Sequence, residues 1–150
     1  MDNLQQYLLE QPLTARAFFG LVEATAELVG VSEKYWQAKG LNGARIRILV
    51  EIAKAGGRML PSELARTIGV TKANITLLLT PLEKDGFISR NADGEDGRKS
   101  VISITGHGRQ LLIDHIPGNR QVIAEHMGGL SEADMEQLIS LLQKLIKPAR

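Results

Sequence analysis

Between Thr71 and Leu82 the chain sets Lys72, Asn74, Thr76 and Thr80 among aliphatic residues. Hydroxyls and amides of this size hydrogen-bond to base edges, and a lysine beside them attracts phosphate. Further along, Arg98 and Lys99 follow Asp96 and Gly97 in a segment rich in Asp, Gly and Asn. An arginine exposed at a loop tip can enter a minor groove, where negative potential is concentrated. Asp96 and Arg98 also suit a local salt bridge that shapes the loop, and the two readings are compatible. Ser62 and Thr71, at the starts of two short helical patterns, complete the candidate nucleic-acid set. Leu77 belongs to it for a different reason. On a helical wheel with Ile75, Leu78, Leu79 and Leu82 inward, Ala73, Leu77 and Thr80 face outward. An outward leucine needs a partner protein or the methyl group of a thymine.

Other chemistry has less to stand on. The three histidines, His107, His115 and His126, are spaced eight and eleven apart, which does not pair metal ligands on one helical turn. There is no cysteine, so disulfides, thiolate zinc sites and thiol redox chemistry are excluded. No Ser/His/Asp set or dinucleotide fingerprint appears, and Gly94-Glu95-Asp96-Gly97 is too acidic to cradle phosphate. No enzyme, cofactor or metal is expected. Tyr35 and Trp36 suit an apolar ligand pocket, although such aromatics more often serve as core or interface residues.

The elements that must position these residues follow from periodicity and punctuation. Residues 1–10 place Leu4, Tyr7 and Leu8 at helical spacing before Pro12. A long helix is expected over 14–39, with Phe18, Val22, Thr25, Val29, Ser32 and Trp36 recurring at steps of four and three. A second covers 43–55, with Ile46, Leu49, Val50 and Ala53 inward, and Gly56-Gly57 stops it. Pro61 suits a first helical position, Gly69 ends the short helix 62–68, and Thr71 caps another running to about 85. Two short helices joined this way, with Ala65 small at their crossing, have the spacing of a helix-turn-helix. An ordinary helical hairpin shares the apolar spacing, but here strands at 87–90 and 101–104 follow at once and form a ribbon with a polar tip. From Gly106 the pattern returns to helix, kinked at Pro117 and ended by Gly128-Gly129. A last helix follows, capped by Ser131, with Met135, Leu138, Leu142 and Leu145 on its apolar face.

The fold class expected is mainly α with a small β-hairpin wing, as one winged helix-turn-helix domain over 1–150. Within it, 1–40 and 106–150 form dimerisation helices and 41–105 a DNA-binding lobe. Charge agrees with this division. Net charge is +1, yet residues 41–109 hold eleven Lys/Arg against seven Asp/Glu, and the flanks are net acidic. Apolar runs are broken by charge before a spanning length, and the N-terminus has no basic leader, so a cytoplasmic location without a membrane partner is expected.

Specific stretches carry a resemblance beyond pattern: Pro61-Ser62-Glu63-Leu64-Ala65, Gly69-Val70-Thr71, Leu82-Glu83-Lys84-Asp85-Gly86-Phe87-Ile88, Asp96-Gly97-Arg98, then Ile104-Thr105 and Gly108. In these the chain resembles the multiple antibiotic resistance regulator (MarR) family over nearly its whole length. Ile104 stands where that family's wing pattern has leucine. The resemblance implies a ligand-responsive transcriptional regulator, a repressor, that binds pseudo-palindromic double-stranded DNA as a homodimer. It also implies a small aromatic or other apolar effector held between the dimer helices and the DNA-binding lobe. Leu77 and Pro81 occupy positions where such regulators often carry arginine, so the groove-facing surface is poor in charge. The alternative is a winged-helix interaction module that dimerises without reading DNA.

Overall fold

The computed structural model describes residues 2–92 and 100–146. The chain opens with a short helix, α1 (Asn3–Leu9), whose first turn is capped by Asp2 Oδ1 accepting from the Gln5 amide at 2.7 Å. After Pro12 comes α2 (Leu13–Ala38), 26 residues long and therefore about 39 Å. Its end is closed by Gly40 at φ +73, with the Leu41 amide donating back to the Trp36 carbonyl at 2.8 Å. That is a Schellman-type stop, which needs a left-handed residue.

Next, α3 (Gly43–Lys54) is capped by Asn42 Oδ1 and leads through Gly56 and Gly57 into a short strand, β1 (Arg58–Met59). Then come α4 (Pro61–Ile68) and α5 (Lys72–Lys84). The wing strands are β2 (Ile88–Ala92) and β3 (Ser100–Ile104), paired antiparallel from Ile88↔Ile104 to Ala92↔Ser100. A long α6 (Gly106–His126) continues through Pro117, and α7 (Glu132–Ile146) follows. Ser131 and Asp134 cap α7 reciprocally: the Asp134 amide donates to Ser131 Oγ and the Ser131 amide to Asp134 Oδ2.

The sheet is three-stranded, in the order β1-β3-β2. Strand β1 was not among the expected elements, because two residues are too few to show alternation; it pairs Arg58 with Ser103 and Met59 with Ile102. Strand β2 lies slightly further along than expected, and β3 begins one residue earlier. The core gathers Ile48, Leu49 and Ile52 of α3, Leu64 of α4, Ile75, Leu79 and Leu82 of α5, and Ile102 of β3, all fully buried. Trp36 and Leu112 close it from α2 and α6. The inward face of α3 is therefore wider than expected: Ile48 and Ile52 are fully buried, whereas Val50 and Ala53 lie at the margin. Packed against α2, α4, α6 and β3 at once, this helix buries more than one stripe.

Outside that core, apolar surface is abundant. Leu4, Tyr7 and Leu8 of α1, Phe18, Phe19 and Val22 of α2, and Ile139, Leu141 and Leu145 of α7 are all exposed. Among the described residues, α1 and α7 make at most marginal contact with other elements of their own chain.

Candidate nucleic-acid interface

Local chemistry dictates the turn between α4 and α5. Pro61 begins α4 with φ already helical, and Glu63 Oε1 reaches back to accept from the Leu60 amide at 3.2 Å. Gly69 ends the helix at φ +78, a conformation costly for any side chain with a Cβ, and its amide donates to the Ala65 carbonyl at 2.9 Å. Thr71 Oγ1 then accepts from the Asn74 amide at 3.2 Å and starts α5. The angle between the helices is held by Leu64 and Ala65 packing toward Ile75 and Leu79.

This fixes which face of α5 is free. Ile75, Leu79 and Leu82 point inward, Leu78 is half-buried, and Leu77 is 72% exposed. Lys72, Asn74, Thr76 and Thr80 are exposed as well. A notch of about 360 Å³ brings Ser62 of α4 together with Lys72, Thr76 and Ser100 at the foot of the wing. The Ser62 and Ser100 hydroxyls and the Lys72 ammonium around this hollow suit a phosphate group.

The threonine hydroxyls have a defined polarity. Thr76 Oγ1 donates to the Lys72 carbonyl at 3.2 Å, and Thr80 Oγ1 to the Thr76 carbonyl at 3.0 Å. With their protons directed into the helix, these oxygens face outward as acceptors. Thr80 also accepts from Arg90 Nη2 at 3.4 Å. Arg90 was not among the sequence candidates. Its Nε lies 3.5 Å from Glu83 Oε2, near enough for charge attraction but without hydrogen-bond alignment. The signal for it was strand alternation: Arg90 is two residues from the buried Ile88, so it leans toward α5. Arg98 and Lys99 lie outside the described residues.

The two candidate pocket aromatics do not share a site. Successive residues on a helix diverge by about 100°, and these two point to different clefts. Trp36, 4% exposed, lines one edge of a cleft of about 660 Å³ between α2, α3 and α6, with Val50, Ile116 and Ile123 as apolar wall and Arg47 and Arg120 at its margin. Tyr35 faces a groove of about 610 Å³ with Gly30, Lys34 and His126, and its hydroxyl donates to the His115 carbonyl at 2.9 Å. The rings still touch edge to face, with centroids 5.0 Å apart. His107 stacks on Phe87 at 4.7 Å. Among the described residues, no group of three or more His, Asp or Glu side chains is gathered as a metal site, and no helix is long and apolar enough to cross a membrane.

Known proteins match this arrangement. A sequence profile of the MarR family matches residues 39–99. The HTH-type transcriptional repressor YetL of Bacillus subtilis is 34% identical over 131 residues, spanning 87% of this chain and 78% of that protein. A probable transcriptional regulator from Pseudomonas aeruginosa superimposes with a TM-score of 0.78 at 26% identity, covering 89% of this chain and 99% of the other. CouR from Rhodococcus jostii, solved bound to p-coumaroyl-CoA, shares the fold with a TM-score of 0.80 at 23% identity, covering 94% and 99%.

Proposed function

Because this chain belongs to the MarR family, and so is a transcriptional regulator rather than an enzyme, we propose that it represses transcription as a homodimer. It does so from the cytoplasm, on pseudo-palindromic double-stranded DNA. The observation that carries this reading is the coexistence of two kinds of unsatisfied surface on one chain. The helices α1, α2 and α7 present exposed aliphatic and aromatic residues that a monomer leaves in water. A second copy related by two-fold symmetry covers the same surface on each partner. The face of α5 remains free, and the dimer presents two of them, to half-sites about 10 base pairs apart.

On each half-site Ser62, Thr71 and Lys72 hold phosphate, whereas Asn74, Thr76, Leu77 and Thr80 face the bases. Arg98 and Lys99 reach the adjacent groove from the wing. With no arginine on α5, bidentate guanine contacts are missing, and specificity leans on thymine methyls and DNA shape.

The effector site of this reading is the Trp36 cleft. Its apolar wall suits an aromatic or other apolar molecule, and it lies where α2 and α6 meet α3. Arg47 and Arg120 in its lining favour an acidic group on that molecule, placed away from the Glu33 carboxylate that lines the same cleft.

The reading is tested by selecting DNA sites from random sequence with the purified protein, alongside sedimentation equilibrium. Recovery of a palindrome by a dimer supports it. A stable dimer that selects no site leaves the interaction-module alternative in its place.

A further inference from the structure

Glu33, on α2, is a half-buried carboxylate with no basic side chain within 4.0 Å among the described residues. Its Oε2 accepts from the Gly43 amide at 3.1 Å. Gly43 is the first residue of α3, and the Ala44 and Arg45 amides beside it already donate to Asn42 Oδ1. The first turn of α3 is therefore capped from two elements. One cap is local; the other reaches across from the long helix.

Space at residue 43 is part of the device. A Cβ there would overlap the Glu33 carboxylate and touch the Trp36 ring. The φ of Gly43 is not in the left-handed region, so backbone conformation does not demand glycine here. Close approach of Glu33 does.

Among the described residues the bond from Glu33 to Gly43 is the one side-chain hydrogen bond from α2 to the α3–β3 unit; the other side-chain bonds leaving α2 run to α6, through Tyr35 to the His115 carbonyl and Asn119 to Ser32. Trp36 anchors α3 by apolar burial, which resists separation but hardly resists rotation. A hydrogen bond between a carboxylate and a helix terminus is directional. We infer that Glu33 is a positioning residue, whose bond to Gly43 fixes the angle between the dimer arm and the DNA-contacting unit and so sets the half-site spacing the dimer accepts.

The inference rests on the reading of this chain as a dimeric DNA-binding protein. Inserting one base pair between half-sites separates them by about 3.4 Å and rotates one against the other by about 34°. A stiff arm tolerates that poorly; a loosened one tolerates it better.

The test takes the site selected by the wild type and compares duplexes at that spacing and at one base pair more and less. Gly43→Ala evicts Glu33 while giving α3 a better helix former, so loss of folding does not obscure the result. Glu33→Ala removes the acceptor, and Glu33→Gln keeps one. The expected result is that the affinity ratio between correct and altered spacing contracts about three- to tenfold in Gly43→Ala and Glu33→Ala, and persists in Glu33→Gln. Folded, dimeric Gly43→Ala and Glu33→Ala proteins with the wild-type ratio overturn the inference alone. A wild type that selects no site overturns the DNA-binding reading, and this inference with it.

Discussion

Replacing Leu77 with alanine separates folding from recognition more cleanly than any other change on α5. The side chain is 72% exposed, so truncation removes little buried surface and opens no cavity. Alanine is also at least as good a helix former. Stability should therefore move by less than about 0.5 kcal/mol, against about 2–5 kcal/mol for a leucine taken from the core, such as the neighbouring Leu79. Recognition is another matter. If the isobutyl group covers a thymine methyl, the contact loses about 40 Å² of apolar burial on truncation. At about 25 cal/mol per Å² this is about 1 kcal/mol, or about fivefold in discrimination at one base pair per half-site. Salt dependence should not change, because no phosphate contact is lost. Parallel site selections with wild type and Leu77→Ala, together with thermal melts, measure both quantities. Equal melting temperatures with the same preference at every base position would refute the assignment of Leu77 as a base reader.

Gly108 tests packing at the start of α6, where a Cβ would run into the Phe87 carbonyl oxygen and the Ile104 side chain. Gly108→Ala should lower stability by about 1–3 kcal/mol, read as a fall of several degrees in melting temperature; an unchanged melt would mean the junction is soft. Leu145→Asp places a charge on the exposed apolar face of α7 and should shift sedimentation equilibrium toward monomer at micromolar concentration. A fully dimeric variant would move the interface elsewhere. Arg98→Ala should weaken DNA binding and, for each phosphate contact removed, reduce the salt slope by about 0.9, with folding unchanged. Identical titrations at several salt concentrations would remove Arg98 from the DNA contacts.

What the sequence made legible is governed by local backbone chemistry. Pro61, Gly69 and Thr71 act within one helical turn of themselves, so the boundaries of α4 and α5 were readable, as was the outward direction of Leu77. Ser131 and Asp134 are the same case at α7. Missed features depend on residues distant in sequence. Strand β1 exists because Ser103 and Ile102 offer it partners some forty positions later. Arg90 matters because β2 folds back over Thr80 and Glu83. Tyr35 and Trp36, adjacent in the chain, part company because His115 on α6 draws one and the α3 core the other. The bond from Glu33 to Gly43 spans ten residues and a turn, beyond any helical periodicity.

The bare apolar arms have a consequence for how the protein behaves as its abundance changes. A chain that cannot bury α1 and α7 by itself completes its fold only on meeting another copy, so maturation is a second-order event. Thermal midpoint should then climb with protein concentration, and a newly made chain waits longest for order when copies are scarce. Such chains show the sticky helices that quality-control proteases and chaperones engage. If the gene is under its own control, scarcity would then act in two opposite directions: fewer occupied operators raise synthesis, while faster loss of unpaired chains lowers the stock.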